Sequence, residues 1–468
     1  MQRARLIGAW SVLVGVIAVG AVAAQAEVLV AMVAILLAVI VIERPSTAGV
    51  IALTVIPATS GLRAIAGGIH PAQALLAALV VLVALTRAPS TRWDGVDRAV
   101  FIFAAASILL ALYDDVSGSR SMDVPYLLLP AETFMLFRLA RITLREPNVR
   151  RLAVRGFLFA SVPVSLLTIA QGVNVPGALA VIRGLTDAPI LDTWGYEHYP
   201  RATGPFQIWH ALAGYLLIVL LVCVVLLALH RESIMSRTAI ISIAFAAGIA
   251  LVLSQTFTTL IALVVASCFL LLRLRATRAL MVLAVVGAIV CILFGSVLSD
   301  RLDRQFAQTG PTAGAAVPQT VGFRFSVWTD EYLPNMGPYW VSGFGTGLPT
   351  GIVWQHTESA YITLWLRGGL PLLILYGWLT VRLYRRTKLV AAHEEGFDRG
   401  LALIMQALII VLIPMNLLWP YSVNGGLLQP FWLFAGMALA LPMRVEDEPA
   451  AIVEGGAEIS GRRSTRLA

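Results

Sequence analysis

Residues 354–371 read WQHTESAYITLWLRGGLP, and His356 and Glu358 stand there at the head of a run that is otherwise apolar. Either could accept a proton: an imidazole titrates near neutrality unaided, and a carboxylate partly removed from water is shifted toward it. A plainer assignment is a helix start, with Thr357 or Ser359 as N-cap and Glu358 as a first-turn anion complementing the dipole. Arg367 extends the question. On a continuous helix from Glu358 it lies about 13 Å deeper at a rise of roughly 1.5 Å per residue, on one face with His356, Ser359 and Thr363. If Gly368-Gly369 breaks that helix, Arg367 instead stays near the headgroups, where a costly membrane charge is tolerated.

Other cations could hold an anion. In PRATGPFQIWHALAGYL, residues 200–216, Arg201 can fork onto phosphate oxygens while Gly204 admits a ligand to the backbone. Trp209 and His210 read as an interfacial belt. Arg324 precedes Trp328 by one helical turn, a spacing that stacks guanidinium on indole. The glycine-rich GFGTGLPTG at 343–351 lacks the Gly-Lys-Ser/Thr of a phosphate-binding loop, but its backbone N–H groups could face an anion.

The elements that must position these groups are membrane helices. Of the 468 residues, 59% are hydrophobic and 13% charged, with a mean hydropathy of +0.84, outside the range of soluble globular chains. About twenty apolar residues cross a hydrocarbon layer roughly 30 Å thick. Fourteen stretches qualify, at about 6–24, 26–42, 48–66, 71–86, 99–113, 124–140, 152–172, 206–229, 238–254, 257–272, 279–298, 358–383, 400–418 and 427–443, giving 12–14 crossings. With both termini inside, 26 of the 34 basic residues fall on cytoplasmic segments, as the positive-inside rule requires. The +8 net charge therefore reports topology and implies no nucleic-acid partner. The first helix reads as an uncleaved anchor rather than a signal peptide, since a second apolar run follows at once.

The fold class expected is an all-α polytopic membrane protein, a transmembrane domain over 1–443 and a disordered cytoplasmic tail over 444–468. Two outer-face connections, 173–205 and 299–357, are far longer than usual and are expected to fold as a small cap, with an amphipathic helix in 323–340 ended by Pro334. Cys223, Cys268 and Cys291 sit in apolar runs as packing residues. The acidic pairs Asp114-Asp115, Asp187 with Asp192, Asp300 with Asp303, and Asp330-Glu331 read as solvated charges or partners of Arg301 and Arg304, with no metal-ligand set among them.

The succession RATGPF…HALAGYL, LVLSQTFTTLIAL at 251–263, RFSVW, GFGTG and HTESAYITLWLRGGLP resembles the O-antigen ligase and O-antigen polymerase superfamily of bacterial membrane glycosyltransferases, over about residues 195–385. The resemblance implies transfer of a glycan from an undecaprenyl-diphosphate carrier to an acceptor hydroxyl at the outer face of the cytoplasmic membrane, without metal or cofactor. Membrane lipids, the carrier-linked donor and a glycan, lipid or protein acceptor are the partners implied. Arg201 falls on the arginine of the family's RxxGxF pattern and Arg324 on that of its RxxxW. The hairpin departs from the pattern, with Ser254-Gln255 where the family has Ser-Arg, so Gln255 supplies hydrogen bonds without the charge. With Tyr361 and Gly369 aligned, the family's histidine falls on Glu358, and His356 lies two residues earlier. The base is therefore Glu358 or His356, and the diphosphate is held by Arg201, Arg324, Arg367 and Gln255.

Two other classes compete: a transporter or flippase of lipid-linked sugars, and a non-catalytic polysaccharide-assembly protein. A transporter places broken helices and buried charges at mid-membrane, whereas these polar signals gather at one face. Within the enzyme class, the two departures lean toward a polymerase over a ligase.

Overall fold

The computed structural model describes residues 36–440 except 65–68, 87–92, 119–121, 187, 194–195, 197–199, 230–233, 277–280, 282–283, 286, 290–291, 293, 307–317, 355 and 423–424. The first apolar stretch, most of the second, and the tail lie outside the described residues, and 279–298 is described only in part. The remaining eleven stretches coincide with helices: α1 Ser46–Thr59, α2 Pro71–Leu85, α3 Gly95–Ser117, α4 Val124–Thr143, α5 Pro147–Gly172, α7 Trp209–Ala228, α8 Arg237–Leu253, α9 Phe257–Leu274, α13 Ala360–His393, α14 Gly396–Leu418 and α15 Leu428–Ala438. Six of these (α3, α5, α7, α9, α13, α14) are long and apolar enough to cross a membrane, and α1, α2 and α8 are shorter apolar helices. Among the described residues all regular structure is helical. The chain is an all-α polytopic membrane protein.

α7 is apolar all round and buried from Ala211 to Leu226, as a central bundle helix must be. α5, α8 and α9 pack around it or its neighbours, and α13 lies between α3 and α14. Glu132, inside α4, is a buried carboxylate that sequence inspection passed over within an apolar window. It accepts hydrogen bonds from Gln73 Nε2 at 3.1 Å and Gln429 Nε2 at 3.0 Å, tying α2, α4 and α15 together.

The ends of the bundle differ in kind. At one end, the helix starts and stops that the charge rule puts inside carry a shared ion network. Asp94 caps α3 and receives both Arg141 Nη1 at 2.9 Å and Nη2 at 2.5 Å, while Asp97 pairs with Arg138 at 2.6 Å and Arg141 at 2.7 Å. Arg386 reaches Asp94 at 3.4 Å, and Arg150 forks onto Asp398 at 2.9 and 2.7 Å.

At the other end lie the two long connections. The first folds as α6 Ala178–Leu185 and a 3₁₀ turn Pro189–Asp192, over a cluster of Ile182, Ala188, Leu191 and Tyr196. The second contains α10 Gly295–Phe306, α11 Gln319–Ser326, a π-helical stretch Val327–Tyr332 and α12 Leu333–Met336. Its own cluster joins Val327, Trp328, Tyr332, Met336 and Phe344 to Leu366 of α13. Each loop thus has a separate small core. Pro334 does not end the expected helix. It sits in the first turn of α12, where its missing N–H is harmless, and the π-helical turns absorb the change in register just before it.

Candidate active site at the loop end

α13 is two helices joined at a kink. Gly368 (φ −151°, ψ 26°) and Gly369 (φ 62°, ψ −164°) leave the helical region just before Pro371, which has no N–H to donate to the preceding turn, and Gly369 takes a conformation open only to glycine. The glycine-rich loop fills the notch. A Cβ on Gly369 would lie 1.8 Å from Val341 O, and one on Gly343 would lie 2.6 Å from Gly369 N. Leu370 N donates to Trp340 O, and Phe344 N to Leu366 O. Thr346 N and Oγ1 both donate to buried Asp115 at 2.9 and 2.7 Å. The N–H groups of Phe344 and Thr346, expected to face an anion, are used inside the protein, and Asp115 is an anchor for this loop rather than a solvated charge.

Between the glycine-rich loop and α13 runs a strap, residues 352–354 and 356–359, held by the π-helical stretch. The widened turns let three side chains of one stretch reach it. Glu331 Oε2 accepts from Val353 N at 3.0 Å and Trp354 N at 2.8 Å, Tyr332 OH donates to Trp354 O at 2.8 Å, and Trp328 Nε1 donates to Thr357 O at 2.8 Å. Trp328, expected to stack on Arg324, packs edge-on against Phe325 and braces the strap. Ser359 occupies the N-cap position, but its hydroxyl donates to Asn416 O on α14 rather than capping the helix.

Glu358 therefore precedes the helix, in a left-handed conformation (φ 55°) and 5% exposed. Its Oε1 accepts from Trp354 Nε1 at 3.3 Å, and its Oε2 lies 3.1 Å from Arg324 Nε. That Nε–H is turned off the oxygen, so the pair is a charge contact rather than a hydrogen bond. Arg324 is fixed on its own helix by Nη1 donating to Thr320 O at 2.9 Å. Burial pushes the Glu358 carboxyl above its usual value, while the Arg324 charge and the Trp354 donor pull the other way. His356 opens outward beside Trp354 and Trp419, with ring centroids 5.9 and 6.0 Å away, and partial burial holds its imidazole below the usual value.

Arg201 approaches from the first long loop and is 9% exposed. Its Nε donates to Ser254 O at 3.0 Å, its Nη2 to Gln255 O at 3.0 Å and Thr256 Oγ1 at 3.1 Å, and its guanidinium carbon lies 4.1 Å from the Trp209 ring centroid. Trp209 is thus a support for Arg201 rather than a belt residue alone. Gln255, at the α8–α9 turn, is also left-handed (φ 50°), and its amide reaches Pro200 O at 3.4 Å. Gly204 admits α5 rather than a ligand: a Cβ there would lie 2.3 Å from Thr168 Oγ1, and Gln171 Oε1 accepts from Thr203 N and Gly204 N.

Residues 419–421 join the two halves. Trp419 stacks on His210 at 4.2 Å, and Tyr421 OH shares a hydrogen bond with Thr259 Oγ1 at 3.1 Å. Burial pushes the Tyr421 hydroxyl up to about 12, against the Thr259 hydrogen bond and the charges of Arg201 and Arg324, so this ring stands within electrostatic reach of both. Neither aromatic residue was singled out from the sequence. Their signal was Trp-Pro-Tyr directly after a helix, which can build a wall as well as a belt. Arg367 is placed differently. It lies over Tyr126 at 4.5 Å, on the face of α13 with Tyr361 and Leu364, while Ile362, Trp365 and Leu366 of the opposite face join the cap core. The structure thus brings together Arg201, Gln255, Arg324, His356 and Glu358 around Trp419 and Tyr421, and sets Arg367 beyond the short helix.

Among the described residues no three His, Cys, Asp or Glu side chains gather as a metal site. Asp192 pairs with Arg183 at 3.1 Å, and Asp330 accepts from Thr329. Residues 241–377, from α8 through the cap and strap to the broken helix, match the family model described as O-Antigen ligase. No curated protein matches the chain. The segment of this multi-pass membrane protein that builds Gln255, Arg324, His356 and Glu358 is therefore similar to the O-Antigen ligase family.

Proposed function

We propose that the protein transfers a glycan from an undecaprenyl-diphosphate carrier to an acceptor hydroxyl at the outer face of the bacterial cytoplasmic membrane, with the loop end outside and both termini inside. The buried, left-handed Glu358 against Arg324 carries this reading, because strained backbone and a desolvated carboxylate beside a cation are features of a working site. Arg324 and Arg201, with Gln255 beside them, receive the diphosphate and offset the charge it gains on leaving. The acceptor oxygen bonds to the anomeric carbon as the bond from that carbon to the diphosphate breaks. The electron pair leaves with the carrier, and the hydroxyl proton passes to Glu358. His356, two residues earlier on the strap and exposed, is the second candidate for that proton. The face of Trp354, which is exposed, suits the C–H face of a sugar ring.

Labelled undecaprenyl-diphosphate oligosaccharide, supplied to purified protein, tests this. Wild type should make longer or transferred glycan, as neither a flippase nor an assembly protein would. Arg324→Ala should abolish the product while membrane insertion is unchanged, and Glu358→Gln should lower the rate by about 10²–10⁴. Full activity of Arg324→Ala would sink the assignment. A pH–rate limb that vanishes in His356→Gln and survives in Glu358→Gln would transfer the proton to His356.

A further inference from the structure

The strap treats the two oxygens of the Glu358 carboxylate differently. Oε1 accepts the Trp354 indole N–H at 3.3 Å, while Oε2, 3.1 Å from Arg324 Nε, accepts no hydrogen bond among the described residues. The indole cannot swing to the other oxygen, because Trp354 is held at three points. Its backbone N donates to Glu331 Oε2 at 2.8 Å, its backbone O accepts from Tyr332 OH at 2.8 Å, and its ring packs edge-on against Phe323 with centroids 5.1 Å apart. Glu331 Oε2 also accepts from Val353 N at 3.0 Å, so one carboxylate fixes two successive peptides of the strap. Bonds to an ionised acceptor are roughly twice as strong as neutral ones, which makes this a firm anchor. Burial and the charges of Glu331 and Glu358 push the Tyr332 hydroxyl up, so it keeps its proton and goes on donating.

We infer that Trp354 is a positioning residue for Glu358, anchored in turn by Glu331, and that this arrangement leaves Oε2 as the oxygen that takes the acceptor's proton. The inference rests on the transfer reaction above and deepens it. A donor on Oε1 fixes the plane of the carboxylate and favours its ionised form, the form able to accept a proton. As the acceptor O–H bond breaks, its electron pair becomes the bond from that oxygen to the anomeric carbon, and the proton joins Oε2. That proton arrives beside Arg324, the cation proposed to receive the leaving diphosphate. The titratable and charged groups around Glu358 are Arg324 on α11, Glu331 and Tyr332 on the π-helical stretch, His356 on the strap with its ring 5.9 Å from the indole, and Tyr421 after α14, within reach of the Arg324 charge. Of these, Trp354 touches His356 by its ring face and edge alone, so a change confined to its N–H acts on Glu358.

Indole nitrogen-15 NMR of the whole protein against pH tests the contact without turnover, in a His356→Gln background so that the carboxylate titrates alone. The Trp354 signal, assigned as the one missing in Trp354→Phe, should move with pH and should stop moving once Glu358→Gln is added. A signal that never moves, or that moves equally with Glu358→Gln, overturns the proposal. Turnover of labelled carrier-linked oligosaccharide then reads the positioning. Trp354→Phe keeps a ring against Phe323 and removes the donor. Loss of a donor to the charged form raises the proton affinity of the carboxyl, so the acidic limb of the pH–rate profile should move up by about one pH unit. KM for the donor should stay unchanged while kcat falls. Glu331→Ala should move the limb in the same direction, and Glu331→Gln, whose amide oxygen can still accept both N–H groups, should restore it. A limb that stays in place in Trp354→Phe and Glu331→Ala makes these contacts structural only and overturns the assignment. If the indole follows Glu358 but no limb of the rate does, the transfer reading loses its base and the hold of Trp354 on the carboxylate stands.

Discussion

The two ends of the bundle use charge in opposite ways. At the end away from the long loops, Asp94 and Asp97 each meet two cations and also cap α3. At the loop end, Glu358 meets one arginine whose N–H is turned aside, and Glu358 and Gln255 both hold left-handed backbone. The first arrangement lowers the energy of the folded state. The second leaves a buried carboxylate with a single cation, and its strain is sustained by the cap around it. Position in the fold explains the difference: helix ends tied to one another can converge on one carboxylate, whereas a strap fixed by Glu331, Tyr332 and Trp328 can hold a side chain against its own preference.

That contrast would break first at the notch. Gly369→Ala puts a Cβ onto Val341 O in a conformation barred to alanine, so the glycine-rich loop cannot seat and the strap loses its base. Loss of monodisperse protein, or a cap cut rapidly by protease, is expected. A well-folded variant with intact cap would show that the loop end does not depend on this contact.

Arg141→Ala is expected to be next in size, and confined to stability. It strips Asp94 and Asp97 of their shared partner, and breaking a buried pair this way costs about 3–5 kcal/mol. Thermal unfolding should show it, with the transfer rate per folded molecule unchanged. If activity falls in step with stability, the two ends are coupled and the division drawn between them fails.

The helices were legible because an apolar run near twenty residues has few other uses, and the sorting of basic residues followed from α3, α4, α13 and α14 meeting at one end. Arg324, Glu358 and Arg201 were legible as types in a pattern. Their arrangement was not, since it depends on a π-helical stretch with no local signature and on a strap whose hydrogen bonds come from a distant helix. Arg367 had two placements in the sequence, one on a face shared with His356 and one beside a break at Gly368-Gly369; the strap is not helical, so the shared face begins only at Ala360, and the break is present. Glu132 stayed hidden because one carboxylate barely alters the mean of an apolar window.

The smallest expected effect separates the ends by the sign of their pH dependence. The Arg141 and Arg386 charges and the Arg141 and Asp97 hydrogen bonds outweigh the burial that would raise Asp94, and its carboxyl is held well below the ordinary carboxylate range. A lowered folded value means that its contribution is present above the unfolded value, about 3.9, and is lost as pH falls through the folded one. Glu358 is raised instead. Its contribution is present below the unfolded value, about 4.3, and is lost as pH rises through the folded one. Hydrogen exchange read separately at α3 and at the strap should therefore show protection that holds at α3 and declines at the strap as pH rises from about 4 toward neutrality. Glu358→Gln should flatten the strap profile and leave α3 alone. Parallel profiles at both ends would mean that the Arg324 charge fully offsets the burial of Glu358, and the loop end would then be as settled as the other.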